Sequence, residues 1–415
     1  MLAWGVYGAY DEAGTDDLSG IKCMSELAHP LRQEIEQLRS RGEFVHLIDV
    51  CKRALQAARH TSDLEGQAVA YLGLATAYRY TGQYNEARVL NQEGVQKLAV
   101  QLGSTELLTE GLLQAAELRL MGSFQFYEAR DLYREALDMA HRGHNERSET
   151  EAMIGLGLTY DVLGLHPTAK NYAREGLGNA HIQKIHVLEC QALNIMGRIL
   201  QREKDHERAL RCHQHALDIS REFNLKLYEA ESLYHMGRVY GPHDPAKAVT
   251  HYRQALDIAE ETQCLEQQYY IWGGLGDAYA HARDFVAAFN AFDHMLSTAT
   301  QHENRLQEAF AFSAMGRAHL MEGDSLAAVA NFEQMRTLTH DHNNPLGEAT
   351  ALEGLARAFE TDQQFVPMIE AIKEARLLYM SLDDEAAVRR VTGRLVLAYL
   401  KAAWDHVLRL LGMRS

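Results

Sequence analysis

The chain is short of the residues that interrupt or cross-link a fold. Six prolines in 415 residues and no Gly/Ser-rich stretch leave no obvious linker and favour helix almost throughout. The five cysteines (Cys23, Cys51, Cys190, Cys212 and Cys264) are scattered, odd in number and form no Cys-x-x-Cys pair. That argues against a disulfide framework or a zinc ribbon and suits a reducing compartment. Long apolar runs are missing as well. The nearest approach, Leu395 to Leu411, is interrupted by Lys401, Asp405, His406 and Arg409, which are costly in a bilayer. The N-terminal MLAWGVYGAY has no basic segment before it and is followed by Asp11, Glu12, Asp16 and Asp17, so no signal peptide is read there. A soluble, cytoplasmic protein is expected. A basic excess is absent too: the formal charge of −16 argues against general binding to nucleic acid or to an anionic membrane.

Catalytic signatures are missing in the same way. No Walker loop, G-x-G-x-x-G, G-x-S-x-G or H-E-x-x-H motif occurs, so the expectation is a protein that is not an enzyme and carries no cofactor. The densest metal-like group is His206, Cys212, His213 and His215. On one helix the last three point in different directions, and His213 falls at a position used for packing, so no metal site is expected. His141 with His144, and His340 with His342, read as solvated loop residues.

What the chain does have is a period. A small residue recurs at Ala75, Ala115, Gly157, Gly197, Gly237, Gly276, Gly316 and Ala356, with spacings of 40, 42, 40, 40, 39, 40 and 40. Three residues on lie Tyr78, Leu118, Tyr160, Leu200, Tyr240, Tyr279, His319 and Phe359, one turn along the same helical face. Twelve residues after the small position come Ala87, Ala169, Ala209, Ala288, Ala328 and Met368, which mark a second helix. A small residue lets two backbones approach, and the aromatic three residues later is expected to fill the space above the contact. Turns such as TGQY at 81–84 and EGD at 322–324 supply a glycine for the left-handed end of the first helix. Projecting the period back places a degenerate first unit at Ile35, Leu38, Gly42, Phe44 and Ala54. Two units are irregular. The third carries two extra residues between Gly122 and Ala129, and the sixth is one residue short at Gly241–Pro245; both read as turn variation. In the sixth, Asp244 and Pro245 look like an N-cap and first helical position.

These residues resemble the tetratricopeptide repeat, its pattern carried by Gly157, Tyr160, Gly164 and Ala169 and again by Gly316, His319, Gly323 and Ala328. The forty-residue period is similar to the subtype in kinesin light chains, Pins-type scaffolds and MalT-like regulators. The resemblance implies an all-α, right-handed superhelical solenoid of antiparallel helix pairs. It divides the chain into an N-terminal tail (1–27), nine repeats (28–383) and a C-terminal capping region (384–415).

In such a superhelix the first helix of each pair lines the concave surface. The residue after the small position there reads Glu36, Thr76, Ala116, Leu158, Arg198, Arg238, Asp277, Arg317 and Arg357. Four arginines in nine positions exceed composition, and Arg79, Arg119 and Arg202 extend them into a ladder suited to carboxylate or phosphate. The alternative is that these arginines pair with inner-face acids such as Glu231, Asp277, Glu353 and Glu360. The family's carboxylate clamp for chaperone tails is not reproduced; Asn194 is its one suggestive residue. Leu112, Ala116, Leu120, Ile154, Leu158 and Val162 add an apolar inner stretch. At the C-terminus, Leu397, Trp404, Leu408 and Leu410 widen the apolar stripe of a helix that reads first as a plain solenoid cap and alternatively as a homodimer or partner surface. Trp4, Tyr7 and Tyr10 are candidates for a similar docking role or for a disordered tail. The expected function is a scaffold or adaptor gripping an acidic or phosphorylated peptide segment. The alternative is a peptide- or ligand-sensing regulatory module whose superhelix changes on binding and controls a separate effector, as in MalT-like regulators and peptide-pheromone receptors.

Overall fold

The computed structural model describes residues 27–301 and 303–410. Trp4, Tyr7, Tyr10 and Cys23 lie outside them. Among the described residues every regular element is helical. Helix pairs follow one another from Ala28–Arg41 with Phe44–His60 to Pro345–Thr361 with Phe365–Ser381, nine in all, and Glu385–Leu410 closes the array. Numbering the pairs in chain order, the first helices used below are Leu64–Tyr80 in repeat 2, Thr105–Glu117 in repeat 3, Glu146–Val162 in repeat 4, His186–Arg202 in repeat 5, Lys226–Tyr240 in repeat 6, Leu265–His281 in repeat 7 and Arg305–Glu322 in repeat 8. Side-chain caps start many of them. Asp63, Ser104, Asn145, Asn304 and Asn344 each accept the backbone N–H three residues on, an arrangement that stabilises a helix by about 1 kcal/mol. Asp244 does the same for Lys247, and Pro245 opens that helix as its sequence suggested.

The small positions do lie at the crossings, but the ring that fills the space comes from elsewhere. A Cβ on Gly276 would meet Phe292 at 2.3 Å, one on Gly316 would meet Phe332 at 2.9 Å, and one on Gly197 would meet His213 at 2.4 Å. The filling side chains therefore belong to the second helix. Residues three positions after the small one face onward instead: Tyr160 stacks on Tyr172 and accepts from Arg134, and the His319 ring stacks on Phe289. Turns also differ from expectation. Glycine takes the left-handed conformation at Gly42, Gly82, Gly164 and Gly323, while at other turns His144, Lys184, Asn224 and Asn343 adopt it.

A link between successive repeats recurs at their outer edges. His141 with Glu149 (3.2 Å), His181 with Glu189 (2.9 Å), Arg221 with Glu229 (2.9 Å) and His340 with Glu348 (3.1 Å) each join the end of one pair to the start of the next. Two of the loop histidines expected to be merely solvated, His141 and His340, are thus half of a repeated contact.

The array also closes on itself. Phe44 stacks on Tyr80 at 4.6 Å within a cluster that includes Val187, Leu193, Tyr228 and Cys264, so repeat 1 sits against repeats 5 to 7. Arg79 Nη1 donates to both carboxylate oxygens of Glu266 at 3.2 Å, and its Nη2 lies 3.3 Å from Glu117. Farther along, Asn304 Nδ2 donates to the Gly122 carbonyl at 3.2 Å, and Phe124 meets Phe310 with ring centres 4.4 Å apart. These contacts join residues nearly two hundred positions apart and tie repeats 2 and 3 to repeats 7 and 8.

Candidate binding cavity

The first helices of repeats 2 to 7 surround a cavity of about 330 Å³. Leu120, Leu158, Val162 and Ile271 give it an apolar wall. Phe124 and Phe126 complete that wall from the turn of repeat 3, where the backbone loosens to an i→i+5 pattern over Leu118–Gly122 and Phe124 takes a positive φ of 53°. The two extra residues of this repeat, read in the sequence as turn variation, thus carry one cavity-lining ring against repeat 8. Irregular turns of this kind are common at functional sites.

The charged groups on the wall are Arg79, Arg198 and Arg238 with Glu117, Glu231 and Glu266, beside His235. Acids and arginines balance, which differs from a purely basic groove. Most of the eight residues singled out in the sequence have internal partners. Arg79 is buried between Glu117 and Glu266. Arg119 pairs with Glu128 and donates to Gln125, and Arg317 lies 3.3 Å from Asp277. Arg198 and Arg202 converge at 3.0 and 2.9 Å on Asp161, whose side chain is fully buried. Asn194 is in the core, donating to Ser232 and accepting from His213 Nδ1 at 3.0 Å. Arg357 is exposed on the surface. Arg238 combines a place on the cavity wall with an unpaired charge: its guanidinium makes no hydrogen bond or ion pair among the described residues and lies over the Tyr234 ring, 5.9 Å from its centre.

Of the inner-face acids, Asp277 holds Arg317, Glu353 holds Arg390 and Arg394 at 2.9 Å, and Glu360 holds Lys401. Glu231 has no such cation. Its nearest base is the His235 imidazole at 3.7 Å, which burial keeps neutral, and burial pushes the Glu231 carboxyl up to about 7. On the adjoining first helix of repeat 7, Gln267 Oε1 is buried and accepts nothing, although its Nε2 donates to the Leu227 carbonyl at 2.7 Å. Sequence reasoning named Glu231 only as a partner for arginine, and it missed Gln267. Nothing in a forty-residue code distinguishes a paired charge from an unpaired one.

The suspected metal-like group disperses. His213 is buried against Gly197, His206 faces the His243 ring, and His215 is exposed. Among the described residues no cluster of three or more metal-ligating side chains forms, and no helix is long and apolar enough to cross a membrane. At the closing helix Leu397, Trp404 and Leu410 are 57, 64 and 73% exposed, while Leu408 is half-buried.

Comparison with known proteins supports the repeat reading. Family models of the tetratricopeptide repeat match residues 67–98 and 188–261. No curated relative matches the chain by sequence. Among solved structures, a Rap protein complexed with competence and sporulation factor is similar with a TM-score of 0.63 and 16% identity, over 90% of this chain and 100% of that one. The Rap conjugation gene regulator of plasmid pLS20, in complex with the Phr* peptide, gives 0.55 and 14%, over 85% and 97%. A STAND signal-transduction ATPase with a tetratricopeptide repeat sensor, from Pyrococcus horikoshii, gives 0.50 and 12%, over 83% of this chain and 55% of that one. At these identities the likeness is one of fold. Residues 67–98 and 188–261 are tetratricopeptide repeats, and the chain is an all-α solenoid of consecutive helix pairs of that type.

Proposed function

We propose that this protein is a peptide-sensing regulatory module: a short peptide binds in the cavity enclosed by repeats 2 to 7, and occupancy biases the contacts that close the superhelix. The observation that carries this reading is the cavity itself, built between inner helices and bounded by contacts from one part of the solenoid to another. An open scaffold gripping a long acidic segment is the weaker reading, because five of the seven ladder arginines already have acidic partners. The two Rap structures of similar fold are complexes with competence and sporulation factor and with the Phr* peptide, which supports a peptide ligand here. A ligand shifts such an equilibrium only by its differential affinity for the two states, so contacts that differ between open and closed forms are where coupling resides.

Substituting Leu158→Trp fills the cavity from its apolar wall. Full-length protein is incubated with a library of short synthetic peptides and the retained fraction is read by mass spectrometry. The expected result is retention by the natural chain and none by the variant, with helicity unchanged. Equal retention by both places binding elsewhere and overturns the reading.

A further inference from the structure

Two ionisable groups on the cavity wall make no close ion pair with a side chain of fixed opposite charge, and they stand on one helix. Glu231 and Arg238 are seven positions apart in Lys226–Tyr240. Seven residues are close to two full turns, so both side chains leave the same face, their Cα atoms roughly 10 Å apart along the axis. The two form no ion pair with each other, while the other arginines of the wall, Arg79 and Arg198, are committed to Glu117, Glu266 and Asp161. A simple anion would satisfy only Arg238, and a simple cation only Glu231.

We infer that the cavity takes a short zwitterionic peptide of about three residues, with its ammonium on Glu231 and its carboxylate on Arg238, because an extended chain advances roughly 3.4 Å per residue. This inference rests on the proposed function and specifies its ligand. Guanidinium can hold a terminal carboxylate through two parallel hydrogen bonds, which a neutral amide cannot reproduce. Between the two charges the Tyr234 ring, and opposite it Leu158 and Ile271, offer apolar surface for the peptide's side chains. The volume agrees: small-ligand sites span roughly 300–1,000 Å³, and about 330 Å³ lies at the small end of that range. A free amino acid is too short to bridge the two groups.

The test is affinity selection on the full chain with three probe pools: free tripeptides of mixed sequence, the same pool N-acetylated, and the same pool C-amidated. A fourth pool of longer random peptides, with free and capped ends, runs in parallel. Free tripeptides are retained, and capping either end lowers retention by about tenfold, the loss of one charge-assisted contact. In Arg238→Gln the amidated and free pools are retained equally, whereas acetylation still weakens binding; Glu231→Gln shows the converse. This split distinguishes recognition from a folding defect, and Arg238→Lys restores part of the preference for a free carboxylate. Capped tripeptides retained as well as free ones overturn the inference. Retention of long peptides alone, indifferent to capping, overturns it and leaves the peptide-sensing reading standing; retention of no pool overturns both.

Discussion

Gly276 and His213 show how much a single position in this fold carries. Gly276 lies against Phe292, a fully buried ring, at a distance that leaves no room for a methyl group. Gly276→Ala is expected to destabilise the protein by about 1–3 kcal/mol through overpacking, more than the ~1 kcal/mol that alanine contributes to helix propensity. Chemical denaturation measures the difference. His213 is buried neutral, its Nδ1 donating to Asn194 and its Nε2 unpartnered, and burial lowers its pKa from 6.5 to about 3. Between those values the unfolded chain binds a proton that the folded chain does not, so stability is lost as pH falls below about 6.5. At pH 5 this amounts to about 2 kcal/mol. The loss between pH 7 and pH 5 is therefore expected to be smaller by about that amount in His213→Gln, as measured by urea titration at both values. The sequence placed His213 at a packing position and the small residues at the crossings because local spacing encodes both. It did not reveal that Arg79 belongs to Glu266, because a partner 187 residues away lies outside any forty-residue pattern.

The irregular elements prove more informative than the regular ones. Repeat 6 loses one residue and gains a sharp restart at Asp244 and Pro245, with no further consequence for the cavity. Repeat 3 gains two residues and uses them: the loosened turn at Leu118–Gly122 leads into Phe124, which reaches Phe310. The excess length was visible in the spacing, but its destination was not, since turn variation alone predicts only tolerance. Phe124→Ala is expected to remove this contact and speed amide hydrogen exchange in residues 118–126 and 305–312, leaving the closing helix Glu385–Leu410 unchanged. Uniform acceleration along the chain would instead indicate global destabilisation. At the other end, Glu353 accepts from Tyr379, Arg390 and Arg394, which fixes the first half of the 26-residue closing helix, while its second half, held by Lys401 on Glu360, leaves Leu400, Trp404 and Leu410 exposed.

For the whole molecule the decisive feature is closure. Helix period, pairing and superhelical class are properties of neighbours and can be read from the sequence; the meeting of repeats 2 and 3 with repeats 7 and 8 depends on how small rotations accumulate over five units, which no local code states. The Arg79–Glu266 pair is buried on both sides, and removing the Glu266 charge leaves the buried Arg79 with Glu117 alone. Glu266→Gln is expected to cost about 1–3 kcal/mol, since Glu117 still faces Arg79, and to raise the radius of gyration in small-angle scattering. A destabilised variant of unchanged radius would show that the pair stabilises the fold without holding the superhelix shut. The central claim is that peptides bind inside this closed array. Amide hydrogen exchange of the full chain, with and without the retained tripeptides, tests it most directly. Protection in residues 118–126 and 226–240 is the predicted result; protection confined to the outer second helices or to residues 385–410 would contradict it.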